Sequence, residues 1–450
     1  MTARKTYVRK TPSRTASRLG VVVRGTRLRV AGKVWTAGCQ GPWYRLAASG
    51  YICSEQARLT TRPPGGVAQP VVPRGQRLPY QYVLAGQDGA GEYANQEDAE
   101  ADMPIDDLAP GFGRTVVKRV RIDDVRLWRT TRKTYLLTQD VFRIRGSRLH
   151  GERVTAKTAL PIAFVTARRA NLWTHACSSG HRRHCRSGRG AVCRGRIRAR
   201  LRILARWKRY DRCSVVAVLC APPDKWSQRT TGRSGTVRRR SAERLGWRRT
   251  WLRCTNGGIL RSRMVRIASR SAKPAAVPDH GFWVDIDLSE QTLVAYHGSV
   301  PVYATLVSAG RNHRTPTGLY RVWAKLAATD MTSPPDSEHR YSMWDVPWTM
   351  YFRKGLALHG AYWHDQFGNP HSHGCVNLSP ADARWLFDWA PPKLPAGWWA
   401  ILSSHGTTSL WVRIRRSHRS SILSVLRPIR FHWPSIQALR TWTRLDQLSR

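Results

Sequence analysis

Of the 76 lysines and arginines in this 450-residue chain, only nine lie between residues 281 and 402, where ten acidic residues balance them to a net −1. The excess that gives the whole chain +48 is carried elsewhere: residues 1–167 are +15, residues 168–280 are +26, and residues 403–450 are +8. Like charges packed at that density oppose collapse, so the segment best suited to fold around its own core is 281–402. A length of 450 residues suits two to four domains, and 41% hydrophobic residues suit a globular protein. A basic excess ordinarily signals attraction to polyanions, meaning nucleic acid, anionic lipid or an acidic wall polymer. No apolar run approaches the roughly 18–20 residues of a membrane span. The start, "MTARKTYVRKTPSRTASRLG", is basic and lacks the apolar core of an export signal. Taken literally it predicts a cytoplasmic protein, unless the start is missing or mis-set.

Residues 17–60 alternate apolar and polar positions between glycine turns, as in "GVVVRGTRLRVAG" and "GPWYRLAASGYIC". This pattern predicts a small barrel of meandering strands. It resembles a bacterial SH3-like module, a class that commonly binds wall peptides; a generic β-meander is the competing reading. Cys39 and Cys53, fourteen residues apart, suit a disulfide in an exported domain. Residues 61–79 form a Pro/Gly-rich linker. Residues 80–167 mix an acidic loop, "QEDAEADMPIDD", with runs such as "TYLLTQDVFRIRG", and read as a β-rich region of unassigned role.

Residues 168–280 have no sustained period of 2 or 3.6, few acids, and six of the nine cysteines. Three readings compete. A nucleic-acid-binding arm has the charge, but such arms avoid free thiols. A zinc site could draw on His175, Cys177, His181, His184 and Cys185, but their spacing does not follow the regular Cys and His pairs of zinc modules. The favoured reading is translation out of frame, since G/C-rich DNA read that way yields Arg, Cys, Trp, Gly and Ser together. The middle is therefore expected to be unfolded or mistranslated, and the basic tail 403–450 shares the same explanation.

Within 281–402 the elements are legible. "FWVDIDL" alternates as a strand with one buried face, "TLVAY" returns from it, and "VPVYATLVSAG" extends the sheet. "DVPWTMYF" and "LALHG" are further strands, the second ending at His359-Gly360. "SPADARWLFDWA" begins a helix, with Ser379 as cap, Pro380 in the first turn and Asp382 completing the box. The fold class expected is mainly β, with a short helix after the stretch "SHGCVNLSP".

That stretch holds Cys375, the single cysteine of the balanced segment. A thiol near pKa 8.5 is a poor nucleophile, and a neighbouring imidazole can take its proton and form an ion pair. Two histidines qualify: His373, two residues before, and His359, sixteen before at a strand end. Gly374 lets the backbone turn closely, so amides around Gly374 and Cys375 can serve an oxyanion, and Ser372 can orient an imidazole. A lone cysteine on a β-rich segment is often an inert small hydrophobe, but the two His-Gly pairs flanking Cys375 argue for the nucleophile. His313, His364, His371 and His405 read as surface residues. "GAYWHDQFG" reads equally as a lid or as loop packing.

His359-Gly360, followed sixteen residues on by Cys375 inside Ser372-His373-Gly374-Cys375-Val376-Asn377, resembles the signature of the L,D-transpeptidase catalytic domain (YkuD) family. "LVSAGRNHRTPTGLYRV" is similar to that family's Gly and Thr-Pro-Thr-Gly segment. The resemblance covers about 281–402. It implies a cell-envelope or periplasmic enzyme acting on peptidoglycan stem peptides, with no cofactor, no metal and no nucleic-acid partner. Cys375 would be the nucleophile and His359 the principal base and acid, with His373, Ser372 and Gly374 in support. Asn377 and Gly360 would contact substrate, Asn377 standing where many relatives carry Arg. The implied reaction forms 3→3 cross-links, or attaches proteins to stem peptides, through a thioacyl-enzyme. The alternatives are an L,D-carboxypeptidase and a catalytically inactive polyanion-binding protein.

Overall fold

The computed structural model describes residues 5–66, 69–173, 203–219, 251–334, 337, 340–403 and 408–417. The described residues fall into two compact units, one within 1–166 and 266–417, the other within 167–265. Both are mainly β.

The first unit opens with five short strands: β1 (Lys5–Arg9), β2 (Arg18–Val23), β3 (Val30–Val34), β4 (Trp43–Leu46) and β5 (Tyr51–Cys53). Antiparallel pairing orders them β2-β1-β5-β4-β3. Val8, Val22, Leu46 and Ile52 fill one side, and a disulfide joins Cys39 to Cys53. Gly20 and Val21 of β2 pair with Ile401 and Ala400, so this meander is continuous with the sheet of the C-terminal segment. Residues 80–143 add seven further strands around Val83, Leu108, Phe112, Trp128 and Leu136. A buried pair, Arg114 to Glu92 at 2.9 Å, lies in that region.

The C-terminal segment builds β6 (Phe282–Asp287), β7 (Thr292–His297), β8 (Val300–Leu306), β9 (Ala324–Thr332), β10 (Ser342–Arg353), β11 (Leu356–Gly360) and β12 (Val376–Leu378). The helix Pro380–Trp389 follows, then β13 (Ala400–Leu402) and β14 (Trp411–Arg415). β8, β7, β6 and β14 form one sheet; β13, β9, β10, β11 and β12 belong to another. A shared core, including Val284, Ile286, Leu293, Trp348, Met350, Leu358, Val376 and Leu386, fills the space between these elements and the helix.

Two expectations for this segment change. β6 was expected to bury one face, yet Asp285 and Asp287 are also buried, because Arg413 and Arg415 of β14 cover them. Arg413 Nε lies 2.6 Å from Asp285, and Arg415 bonds both carboxylates at 2.8 and 3.0 Å. The start of the basic tail is accordingly a strand, paired in parallel with β6 from Trp283–Trp411 to Asp287–Arg415. Residues 418–450 lie outside the described residues.

The helix begins as its sequence requires. Ser379 Oγ accepts from Asp382 N at 3.1 Å, and Pro380 occupies the first turn, where no amide partner is needed. At the other end Lys325 Nζ, fully buried, donates to the carbonyls of Phe387 and Ala390 at 2.6 Å, satisfying two carbonyls of the helix C-terminus. Burial pulls this lysine down to about 7.

In the second unit, strands Arg169–Trp173, Ile203–Lys208, Arg212–Leu219, Trp251–Cys254 and Ile259–Arg261 pair antiparallel, and Cys213 is disulfide-bonded to Cys254. Strands thus occur inside the span expected to be irregular; local alternation such as "SVVAVL" is too short to stand out against the arginine-rich background. His175, Cys177, His181, His184 and Cys185 lie outside the described residues.

Candidate active site

Parallel pairing of β11 with β12 sets the frame: Leu358 opposes Val376, His359 opposes Asn377, and Gly360 opposes Leu378. Register mates project to the same face, and alternation returns to that face every second residue. Cys375 immediately precedes β12, one residue before Val376 and two before Asn377.

The loop bearing the cysteine is held by its own backbone and by the segment 306–315. Ser308 and Asn377 exchange both backbone hydrogen bonds at 2.9 Å, and Arg311 N donates to Ser372 O at 3.0 Å. Thr315, buried, accepts from Gly310 N at 2.7 Å and donates to Gly374 O at 2.7 Å. This gives the Thr-Pro-Thr-Gly turn a physical task, because its first threonine ties the Cys375 loop to Gly310. The two glycines must be glycines. A Cβ on Gly310 would meet Thr315 N at 2.9 Å and Gly374 Cα at 3.0 Å, while Gly374 has φ +145° and Leu356 Cδ2 in the way at 2.9 Å.

Cys375 is partly exposed, its Sγ 3.7 Å from Gly355 O. Burial pushes the thiol up, with a smaller opposing effect from the Ala357 backbone. Tyr341 and Tyr351 are raised first by their own burial and then by the sulfur's charge, which places both within electrostatic reach of it. His359 is buried and held down to about 4 by desolvation, a hydrogen bond to the Gly360 backbone opposing this weakly. Its Nδ1 has no hydrogen-bond partner, and the Trp363 ring stacks on it at 5.6 Å. Burial thus displaces the thiol upward and the imidazole downward, each toward its neutral form. Sγ forms no hydrogen bond to His359 in this state.

The remaining residues of the signature take distinct places. His373 is exposed and lies against Tyr341, with ring centroids 5.0 Å apart. Ser372 accepts from Gly374 N at 3.1 Å and donates to Cys375 O, so its hydroxyl braces the Cys375 backbone instead of an imidazole. That contact occupies the Gly374 amide. Gly360 is buried where an added Cβ would press on Pro347 at 3.3 Å and Ala383 at 3.4 Å, a packing position between β10 and the helix. Asn377 is buried, its side-chain amide 2.9 Å from His364 Nε2.

His364 was expected at the surface and instead joins the site. Gln366 N donates to its Nδ1 at 3.2 Å, which puts the ring proton on Nε2. The partner of an Nε2–H must be the Asn377 oxygen, and that oxygen is otherwise a buried, unpaired acceptor. His364 is held down to about 3, chiefly by burial and then by His371. His371 itself is half-buried and bonded to Arg311 at 2.8 Å, His313 is exposed, and His405 lies outside the described residues. No periodicity marks His364; it is placed by the loop 361–371, whose Tyr362 stacks on Tyr82 at 3.7 Å and whose Phe367 is buried. Packing, rather than an open lid, describes that loop.

Residues 281–408 match the profile of the L,D-transpeptidase catalytic domain, YkuD. No curated protein matches the chain. Among solved structures it is similar to an L,D-transpeptidase from Mycobacterium smegmatis, with 18% identity and a TM-score of 0.25 over 37% of this chain and 66% of that one. An L,D-transpeptidase from Stackebrandtia nassauensis gives 22% and 0.23 over 32% and 59%. The catalytic domain of the E. faecium L,D-transpeptidase gives 22% and 0.24 over 30% and 98%. The chain thus spans less than two thirds of the length of the first two. The segment 281–408, which carries the Cys375 loop, the two His-Gly pairs and the capped helix, is thus similar to L,D-transpeptidase catalytic domains of the YkuD family.

Proposed function

We propose that this protein is a peptidoglycan L,D-transpeptidase working through Cys375. What supports the reading is the parallel pairing that sets His359 opposite Asn377, two residues beyond Cys375, with Thr315 and Ser372 bracing the cysteine's loop. Neutral His359 takes the Cys375 proton as sulfur attacks the carbonyl of the third residue of a donor tetrapeptide. The Cys375 amide faces the developing oxyanion, since the Gly374 amide is engaged by Ser372. Collapse breaks the C–N bond to the terminal D-alanine, whose amine leaves with the proton from His359. The amine of a neighbouring stem, on a second stem peptide or a protein, then attacks the thioester. Its proton passes to His359, the C–S bond breaks, and the thiol is restored. His373, exposed against Tyr341, contacts the stem peptide, while Asn377 is buried against His364. Such a substrate belongs to the cell envelope.

The test uses the full chain, because β2 and the strands of residues 80–143 pair with the catalytic sheet. Incubation with a disaccharide tetrapeptide or a carbapenem is expected to give a covalent adduct by intact mass, absent in Cys375→Ala. With the tetrapeptide alone, a 3→3-linked dimer supports transfer. Tripeptide as the sole product reassigns the site as an L,D-carboxypeptidase, and a folded wild type that stays unmodified removes the proposal.

A further inference from the structure

Far from Cys375 in sequence, the N-terminal meander lines up a row of cations. Register pairs Arg18 of β2 with Arg9 of β1, Arg9 with Tyr51 of β5, and Tyr51 with Arg45 of β4. The next position, Gly32 of β3, opposes Arg45 and leaves room for it: a Cβ there would sit 3.6 Å from the Arg45 Nη2. Paired residues share a face, and strands lie about 4.8 Å apart, so three guanidinium groups span about 14 Å of one surface. The opposite face holds the buried Val8, Val22, Leu46 and Ile52.

Like charges directly opposite on neighbouring strands, as Arg9 and Arg18 are, destabilise a sheet, and no free carboxylate of the meander offsets this. Residues 1–66 contain one carboxylate, Glu55, and it is taken by Arg14 and by Gln40 N at 2.7 Å. Among the described residues Arg9, Arg18 and Arg45 have no ion-pair partner; Arg9 donates to Ala16 O at 2.9 Å, and Arg18 rests 3.9 Å over the Tyr7 ring. A row of this kind is complementary to an anion repeated along a chain, and the planar guanidinium fork fits phosphate oxygens. Bases would need open ring faces to stack on. Arg18 covers one face of Tyr7, and Tyr51 is half-buried, so the row offers charge without a stacking platform.

We infer that the Arg18–Arg9–Arg45 row is a binding site for a linear polyol-phosphate polymer, which would hold the protein on a phosphate-rich matrix independently of catalysis. The experiment measures binding of the full chain to a fluorescent glycerol-phosphate decamer between 50 and 200 mM salt. Changing Arg9, Arg18 and Arg45 together to Gln is expected to weaken binding at least about tenfold at low salt. It should also make the slope of log K against log salt shallower by about 2, as loss of three phosphate contacts requires. Removing the same charge off the row, at Arg24, Arg29 and Arg58, is expected to cost less than about threefold. Arg45→Gln alone, which removes one exposed side chain, should lose about threefold with an unchanged melting temperature and so separates binding from folding. The inference is overturned by equal losses in the two triple variants, which would mean bulk charge. It is equally overturned by tighter binding of a decauridylate than of the polyol phosphate, or by no binding of the decamer.

Discussion

Thr315→Val tests whether the Thr-Pro-Thr-Gly turn acts through its first hydroxyl. Valine keeps the shape but deletes an oxygen that accepts from Gly310 N and donates to Gly374 O, both at 2.7 Å. The buried Gly374 carbonyl and the half-buried Gly310 amide are left without partners, Thr315 itself being 1% exposed. Each such group costs about 1–3 kcal/mol, so the pair should cost about 3 kcal/mol. For a unit of about 300 residues that lowers the melting temperature by about 4–5 °C. Denaturant unfolding followed by tryptophan fluorescence gives the free energy, and alkylation of Cys375 reports the loop. Thr315→Ser retains the oxygen and should unfold within about 1 kcal/mol of wild type. If Thr315→Val unfolds within about 0.5 kcal/mol of wild type, the two hydrogen bonds contribute too little to anchor the loop.

Alkylation of Cys375 with iodoacetamide should titrate above the ordinary thiol midpoint of about 8.5, because burial raises it; a midpoint below that value would show a resting thiolate–imidazolium pair. His359 is held to about 4 in the fold against 6.5 unfolded, so the unfolded chain binds the extra proton as pH falls. Its contribution is full above 6.5 and is lost from there down to about 4, worth about 3 kcal/mol over the window. The difference in stability between wild type and His359→Gln should show this slope, and a flat difference would contradict it. Asp382 accepts from Gly151 N, Tyr303 Oη, Thr305 Oγ1 and Ser379 Oγ. Asp382→Asn keeps an acceptor for the fixed Gly151 amide while the hydroxyls rotate, and should cost about 1 kcal/mol, whereas Asp382→Ala should cost at least about 3 kcal/mol. Equal losses by urea denaturation would show that these bonds do not hold the helix.

What could be read in advance was local. Ser379, Pro380 and Asp382 specify a helix start within four residues, and the structure has that cap. The strand ending at His359-Gly360 and the tight passage from Cys375 into the helix follow equally from short patterns. The features that were missed depend on separation in sequence. Thr315 meets Gly374 across 59 residues, and His364 meets Asn377 only because loop 361–371 packs down through Tyr362 and Phe367. Neither contact leaves a periodic trace. Ser372 was legible as a polar neighbour of Cys375, but its choice of backbone over imidazole depends on a turn three residues long.

Charge shows the same division between what a sum reveals and what it hides. Residues 281–402 balance to nearly zero, which correctly marks them as able to form a core. The total nevertheless conceals Asp285 and Asp287, two carboxylates on one strand that are 2% and 3% exposed. A buried carboxylate must be paired or protonated, and the cations that pair these two are Arg413 and Arg415, beyond the balanced segment. The "DID" triplet of β6 was therefore already a demand for two arginines at strand spacing, and "RIR" in β14 supplies them at the same spacing, in register. Matching those two triplets, rather than counting charges by segment, would have moved the end of the catalytic sheet from residue 402 to Arg415.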